Sequence, residues 1–292
     1  SLGFVSSATS DGFVLTEGNH GTSSIRSLLV NHSGTTFVGW TWKAGTSFTN
    51  DASATSIGSI DSSGSANDTA GFSIVSFTGT GSAGTCGHGL GAVPHMIITK
   101  RRDGTDEWTI YHKDLDHSSS TNHRVIRFNG GSQTGSSALY YGNDPTSTVQ
   151  HQAAYGALNA SSETYVAYSF TSIPGYSKIG KYSGNGVSDG AYVHLGFRPA
   201  WLMIKRTSST DSWLITDNKR DVGNPATQTQ APQSHREDNV NTGDNYSIDY
   251  LSNGFKCRGS GGDLNGSGQT YIYMAFAEQP DITPFDTFPN AR

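Results

Sequence analysis

Two aspartates in this sequence are candidates for acid–base catalysis because of their residue type and their repeated position. Asp106 and Asp211 each stand two residues before a tryptophan, at Trp108 and Trp213. Two carboxylates could serve as the acid and the base of a glycosidase, but only if they face one cleft about 5–10 Å apart. Nothing in the spacing requires that, and aspartate is a common residue of turns. We therefore expect both carboxylates to stabilise hairpin loops.

A group of histidines is the second candidate. His112, His117 and His123 lie in one polar segment, without the His-x-His or His-x-x-x-His spacing of metal ligands and without clustered acids. The sequence has no Gly-x-Ser-x-Gly elbow between a strand and a helix, and no glycine-rich phosphate loop that leads into a helix. The sequence thus predicts no catalytic residue, no metal, no cofactor and no enzymatic activity.

Aromatic side chains could instead bind a sugar. Trp108 and Trp213 could stack on sugar rings, but both lie beside apolar strand residues, which favours burial in a core or between sheets. Tyr140 and Tyr141 lie in the glycine-rich stretch 130–145, which has no counterpart of its type later in the chain. Loops that differ between copies of a scaffold are where function tends to lie. We therefore take Tyr140 and Tyr141 as the candidate surface contacts.

The segments that must position these side chains occur twice. Residues 94–101 reappear as residues 199–206, and Trp108 corresponds to Trp213 at the same offset of 105 positions. A period near the size of a small domain indicates duplicated domains rather than a short-repeat solenoid. Duplicated chains of this kind are typical of scaffolds and binding modules.

A closing segment ends each copy and occurs a third time near the N-terminus. Residues 164–170 resemble residues 270–276, and residues 36–42 repeat the pattern. Residues 1–42 therefore look like the second half of a unit that lacks its first half, and such a half cannot bury its apolar face alone. The candidate assembly contacts in this part are Phe37, Trp40 and Trp42.

Composition limits the class of protein. Charged residues are 15% of the 292, against roughly 25% in an ordinary domain, while aromatic residues reach 11% and there are 36 glycines. The chain should therefore fold as short strands joined by polar turns.

A net charge of −5 does not favour nucleic acid or an anionic membrane as a partner. No apolar run approaches the about 20 residues of a membrane helix. Cys86 and Cys257 occupy non-equivalent repeat positions, which favours free thiols over a disulfide.

Period-two alternation recurs along the chain, and helical periodicity does not. We predict an all-β fold of tandem antiparallel β-sandwich units, jelly-roll-like, with almost no helix. The predicted divisions are a half-unit at 1–42, a linker or extended arm at 43–70, sandwich units at 71–173 and 174–279, and a tail at 280–292. Phe285 and Phe288 in the Pro-rich tail are further candidate assembly contacts.

Several runs of this sequence resemble one known family. They are residues 71–81 (GFSIVSFTGTG), 87–91 (GHGLG), 196–201 (GFRPAW), 251–256 (LSNGFK) and 265–278 (NGSGQTYIYMAFAE). They are similar to a domain of unknown function found in virion and tail-fibre-like proteins of tailed bacteriophages, especially marine and cyanobacterial ones. The resemblance covers roughly residues 30–279 and brings no catalytic residues with it.

The resemblance implies a virion structural protein, in a tail fibre or another host-contacting part. A capsid decoration or cement protein is the alternative within the same class, and a stand-alone carbohydrate-binding module is the alternative from another class. The implied partners are other copies of the chain, other virion proteins and a host cell-surface glycan, and the implied location is the tail fibre or the capsid exterior.

Overall fold

The computed structural model describes residues 3–9, 12–17, 37, 39–115, 125–128, 143–209, 213–219, 228–229, 241–242 and 246–278. The chain divides into two compact units, Ser1–Trp42 and Lys43–Arg292. Nearly all regular structure is antiparallel β-strand, with three helices of four residues each in the described part. The all-β prediction is confirmed. None of these helices is long and apolar enough to cross a membrane.

The described residues of the first unit include a pair of strands that form a hairpin. Its strands are β1 (Gly3–Ala8) and β2 (Phe13–Glu17), which pair antiparallel with a bulge after Val5. Phe37 and residues 39–42 have no regular structure. The described residues of the predicted third closing strand thus differ from their counterparts later in the chain, because those counterparts each lie between two partner strands.

The first half of the larger unit is built on a seven-stranded antiparallel sheet. Its order is β3-β4-β5-β11-β7-β8-β9. The strands are β3 (Thr46–Asn50), β4 (Ser62–Asn67), β5 (Phe72–Thr78), β7 (Met96–Arg101), β8 (Thr109–His112), β9 (Ile126–Arg127) and β11 (Thr164–Phe170). A second sheet pairs β6 (Gly84–Gly87) with β10 (Val149–Gln152). Two short helices accompany them, α1 (Ala52–Thr55) and α2 (Gly156–Asn159).

The second half repeats this plan on a smaller scale. Its main sheet has the order β12-β20-β14-β15, and a second sheet has the order β13-β19-β18. The strands are β12 (Ser177–Ser183), β13 (Tyr192–His194), β14 (Pro199–Arg206), β15 (Leu214–Asp217), β18 (Ile248–Leu251), β19 (Gly254–Cys257) and β20 (Thr270–Ala277). The pair β16 (Gln228–Thr229) and β17 (Asn241–Thr242) and the helix α3 (Gly262–Asn265) complete it.

The two main sheets share both strand order and register. The order β5-β11-β7-β8 in the first half is the order β12-β20-β14-β15 in the second. Ile74 pairs with Tyr168 across β5 and β11, and Ile179 pairs with Met274 across β12 and β20. The strands on either side of the hairpin loops expected at Asp106 and Asp211 do pair antiparallel, β7 with β8 and β14 with β15. A conserved register means that the same alternate residues face the core in both halves.

Each main sheet buries one face within its own half. The core of the first half contains Ile60, Phe77, Cys86, Ile97, Tyr111, Val125, Leu158, Tyr165 and Ala167. The core of the second half includes Tyr182, Leu202, Ile204, Phe255, Tyr271 and Tyr273. Both clusters join the main sheet to the smaller sheet behind it, which is the arrangement of a sandwich.

The other faces of the two main sheets contact each other. The rings of Phe170 and Phe276 lie 6.2 Å apart, and Nε2 of His112 lies 3.4 Å from the carbonyl oxygen of Tyr273. Because Nδ1 of His112 accepts the main-chain N–H of Asp114, Nε2 is the donor to Tyr273. The two halves therefore form one continuous structure and not two independent domains joined by a linker.

Residues 43–70 are not a linker or extended arm. They form β3, α1 and β4, and β4 pairs with β5 along its whole length from Ser62 to Asn67. The segment carries almost no large apolar side chains because strands at a sheet edge are held by main-chain hydrogen bonds and have one solvated face. Phe48 is half-buried, and Asp51 caps α1 by accepting the N–H groups of Ser53 and Ala54.

Trp108 and Trp213 directly precede the equivalent strands β8 and β15, but they are not equally buried. Trp213 is 2% exposed, whereas Trp108 is half-buried. The ring of Phe128 lies 6.1 Å from Trp108 and 5.1 Å from Trp213, and Nε1 of Trp213 donates to the carbonyl of Arg127 at 2.9 Å. The prediction of equivalent burial is wrong for Trp108, because only Trp213 is enclosed at the contact between the halves.

Candidate functional site

Two adjoining clefts lie on the outer face of the first main sheet. One encloses about 310 Å³ at the ends of β3, β4 and β5, and the other encloses about 460 Å³ over β4, β5 and β11. Ser63, Ser76 and Arg102 line both clefts, so they form one groove. We call it the Arg102 groove. Its volume is in the range of small-molecule and oligosaccharide sites.

Hydroxyl groups form the floor of this groove. Successive strand residues point to opposite faces, so the outward positions of β4 and β5 bring Ser63, Ser65 and Ser76 to one surface. The hydroxyl oxygens of Ser63 and Ser76 lie 3.2 Å apart, and the Ser76 hydroxyl also lies 3.2 Å from the carbonyl oxygen of Ser63. Ser63 and Ser65, in the segment 43–70 predicted to be a linker or extended arm, thus lie on a sheet and form part of a polar surface.

Arg102 supplies the positive charge of the groove. Its neighbour Arg101 forms ion pairs with Asp103 at 2.8 Å, with Asp106 at 3.0 Å and with Glu163 at 2.6 Å. Arg102 is exposed and has no carboxylate partner among the residues that the structure describes. Five N–H donors on a planar group are therefore available to a ligand.

An apolar strip with one aromatic ring borders the hydroxyl floor. Ile74, Val166 and Tyr168 line the groove and are half-buried. The ring of Tyr168 stacks on Trp108 with centroids 6.3 Å apart and an interplanar angle of 24°. Burial raises the pKa of Tyr168 above its usual value of 10.0, so its hydroxyl stays protonated and can donate a hydrogen bond.

Two carboxylates close one end of the groove. Oδ1 of Asp51 accepts three hydrogen bonds, from the Ser53 hydroxyl at 2.7 Å and from the N–H groups of Ser53 and Ala54 at 3.0 Å. These bonds lower the pKa of Asp51 below 3.8, so it is ionised near neutral pH. Oδ1 of Asp61 accepts the N–H of Ala52 at 2.8 Å. Both groups are held as hydrogen-bond acceptors.

At the equivalent positions of the second half, the central side chains are apolar and buried. The counterparts of Ile74, Val166 and Tyr168 are Ile179, Ile272 and Met274, each at most 2% exposed. Arg102 is replaced by Thr207, and Ser76 by Lys181. Among the described residues, the open apolar strip therefore belongs to the first copy, whose main sheet continues beyond β5 with β4 and β3, whereas β12 is the edge strand of the second main sheet.

Of the candidates for chemistry that the structure describes, neither Asp106 nor His112 lines the Arg102 groove. Asp106 pairs with Arg101 in the loop between β7 and β8, as a turn role predicts, and Asp211 lies outside the described residues. His112 is buried between the two halves, and His117 and His123 also lie outside the described part. In the described ranges, no three His, Cys, Asp or Glu side chains are grouped as metal ligands.

The candidate contact residues are only partly described. Tyr140, Tyr141, Phe285 and Phe288 lie outside the described residues, and their assignment stays a prediction. In the first unit Phe37 is 50% exposed, while Trp40 and Trp42 are half-buried. Phe4, Val5, Phe13 and Val14 on the hairpin are also exposed. The first unit thus presents apolar side chains from both of its strands.

The residues of the Arg102 groove were missed by the sequence reasoning. The signal that could have found them is divergence between the copies. At positions that are apolar and buried in the second half, the first half has the more polar Tyr168, and Arg102 stands where the second half has Thr207. Polar substitution on one face of one copy indicates that this face is not covered.

A comparison with known families gives one match. The profile of a family described as "Domain of unknown function (DUF7483)" matches residues 2–280. No curated protein matches the chain, and no solved structure matches it.

Proposed function

The chain belongs to this family, DUF7483, and from that premise we propose that it is a structural protein of a bacteriophage virion. Within the particle we place it in a tail fibre or another part that contacts the host. The observation that carries the proposal is a duplicated β-sandwich whose first copy has an open polar groove, while the corresponding central positions of the second copy are buried. One copy then serves as a rigid support, and the other presents a surface to a ligand.

The mechanical part of this proposal rests on the contact between the halves. The two main sheets meet through Phe170 and Phe276 and through Trp213 and the carbonyl of Arg127. Contacts of this kind bury apolar area at about 25 cal/mol per Å² and fix the halves in one orientation. A rigid body of antiparallel sheets suits a protein that must hold a binding surface at a distance from a particle.

The assembly part rests on the first unit. Its exposed apolar side chains, Phe4, Val5, Phe13 and Val14, lie on a two-stranded hairpin, which is marginally stable by itself. Large exposed apolar groups on a small element mark a surface that another chain covers. We propose other copies of this chain and other virion proteins as those partners. The same exposed hairpin supports the second candidate, a capsid decoration protein that docks on the shell.

The copy number in purified particles tests the proposal. Quantitative mass spectrometry of gradient-purified virions that encode this chain should detect it at a few copies per particle, as a tail fibre requires. Hundreds of copies per particle would assign it to the capsid surface instead. Absence from the particle would overturn both candidates and favour a stand-alone carbohydrate-binding module.

A further inference from the structure

The Arg102 groove brings together the three kinds of group that recognise a sugar. The hydroxyls of Ser63, Ser65 and Ser76 can donate and accept, Arg102 only donates, and the ionised Asp51 only accepts. A sugar ring presents hydroxyls around its rim and C–H groups on its faces. Such a rim needs donors and acceptors in alternation, which this floor provides.

The apolar strip suits the faces of sugar rings. Ile74, Val166 and the ring of Tyr168 lie side by side on neighbouring strands, and all three are partly accessible. Aromatic rings with a polar end contact amphipathic ligands well, because the ring covers C–H groups while the hydroxyl bonds to a polar one. A strip of this kind beside a row of hydroxyls fits a ligand with two chemically different sides.

The shape of the groove fits a chain of sugars rather than a single one. Tyr168 and Thr164 lie four residues apart on β11 and mark its two ends, which at 3.3 Å per residue corresponds to about 13 Å. The groove is open to solvent along that length. An extended ligand can therefore lie across β4, β5 and β11 with both ends leaving the surface.

The differences between the two copies indicate that this surface is a binding site and not an ordinary solvent-exposed face of a sheet. In the second half the positions of Ile74, Val166 and Tyr168 are filled by Ile179, Ile272 and Met274, each at most 2% exposed. In the first half the same positions are open, an arginine without a carboxylate partner in the described residues has been placed beside them, and β3 and β4 have been added. These three changes together build one groove.

We propose that the Arg102 groove binds an extended oligosaccharide. Arg102 and the serine hydroxyls bind the hydroxyl rim, Tyr168 and Val166 contact the ring faces, and Asp51 and Asp61 accept hydrogen bonds from hydroxyls at the far end. This inference rests on the proposed function only for the origin of the sugar, which would be the host surface.

Glycan binding by variants of the full chain tests this inference. The purified protein is applied to a printed array of neutral and uronate-containing bacterial surface oligosaccharides, and the strongest ligand is then titrated by calorimetry. We expect Arg102→Ala and Tyr168→Ala each to raise the Kd at least about tenfold, since each removes contacts to the ligand. Tyr168→Ala also removes the stacking on Trp108, so Arg102→Ala is the cleaner of the two variants. Arg102 is exposed, so Arg102→Ala should keep the wild-type unfolding temperature.

Matched controls come from the second half. Arg198→Ala and Tyr192→Ala remove an exposed arginine and an exposed tyrosine outside the groove and should leave the Kd unchanged. Failure of the wild-type protein to bind any oligosaccharide on the array, or equal affinity in Arg102→Ala, would overturn the inference. A protein found in the virion that binds no glycan would refute this inference alone, whereas groove-dependent binding by a protein absent from the virion would refute only the proposed function.

Discussion

Asn159 and Asn265 hold the same loop in the two halves of the molecule. Oδ1 of Asn159 accepts the main-chain N–H of Thr80 at 2.8 Å, and Oδ1 of Asn265 accepts that of Asn185 at 3.0 Å. Both asparagines are fully buried, and each ends a four-residue helix, α2 or α3. The duplication therefore extends from the strands to single side-chain bonds, which connect the loop after β5 to α2 in the first half and the loop after β12 to α3 in the second.

Removing either asparagine should destabilise the larger unit to a similar extent. Asn159→Ala and Asn265→Ala each leave main-chain groups without their side-chain partner, which we expect to lower the free energy of unfolding by about 2 kcal/mol. Denaturant unfolding followed by tryptophan fluorescence measures this. The exposed Asn143→Ala serves as a control that should change it by less than about 0.5 kcal/mol. A loss of unfolding free energy in only one of the two variants would show that Asn159 and Asn265 do not have equivalent roles.

Stability should fall as the pH falls below about 6.5, because two histidines are held neutral. Nδ1 of His88 accepts the N–H of Leu90 at 3.2 Å, and Nδ1 of His95 accepts the N–H of Ser172 at 3.1 Å. Burial lowers the pKa of both below 6.5, and Lys113 adds to the effect at His95. The unfolded chain then binds more protons than the folded one, so the free energy of unfolding rises with pH in this window.

Unfolding in guanidinium at pH 5 and at pH 7.5 measures this dependence. We expect a lower midpoint at pH 5 and a smaller difference between the two pH values in His88→Gln. The carboxylates with lowered pKa values, such as Asp189 and Glu278, lose their contribution only below about pH 4.5 and do not affect the comparison. A midpoint that is equal or higher at pH 5 would show that the histidines are not held neutral.

Both thiols should be inert in the folded protein. Cys86 and Cys257 are free, fully buried cysteines, and burial raises the pKa of Cys86 to about 11 and that of Cys257 to about 12. The thiolate is the reactive form, so neither should react with Ellman's reagent at pH 8. Both should react after unfolding in guanidinium. Rapid reaction of either thiol in native buffer would mean that its half opens locally.

Residues 1–42 should carry the contacts that assemble the protein. Phe4 and Val5 are 54% and 58% exposed, and the hairpin that bears them belongs to the compact unit Ser1–Trp42. Light scattering after size-exclusion chromatography should show an oligomer for the full chain and a folded monomer after deletion of residues 1–42. A full chain that is monomeric, or a deletion variant that keeps its oligomeric mass, would contradict this role.

The duplication could be predicted from the sequence because core residues carry the pattern. Alternation at 164–170 and 270–276 and the apolar runs 96–99 and 201–204 reflect strands whose faces are buried, and buried faces constrain residue type strongly. Segment 43–70 could not be predicted in the same way. Its strands are held by main-chain bonds at a sheet edge, where serine and glycine suffice.

The Arg102 groove could not be predicted from the sequence pattern of the first half alone. Whether Tyr168 is a core residue or a ligand contact is decided by how far the other half covers its sheet, and that follows from packing of the whole unit. Burial of Trp213 but not of Trp108 has the same origin. Local alternation predicts which residues share a face, and tertiary contacts decide which faces stay open.

Immunogold labelling tests most directly our proposal that the chain is part of a tail fibre. Purified virions would be labelled with gold-conjugated antibodies against residues 43–278 and imaged by electron microscopy, with particles that lack the coding sequence as the control. We predict gold at the fibres of the tail and none on control particles. Intact particles without gold on any surface, from a stock in which the protein is expressed, would contradict the account.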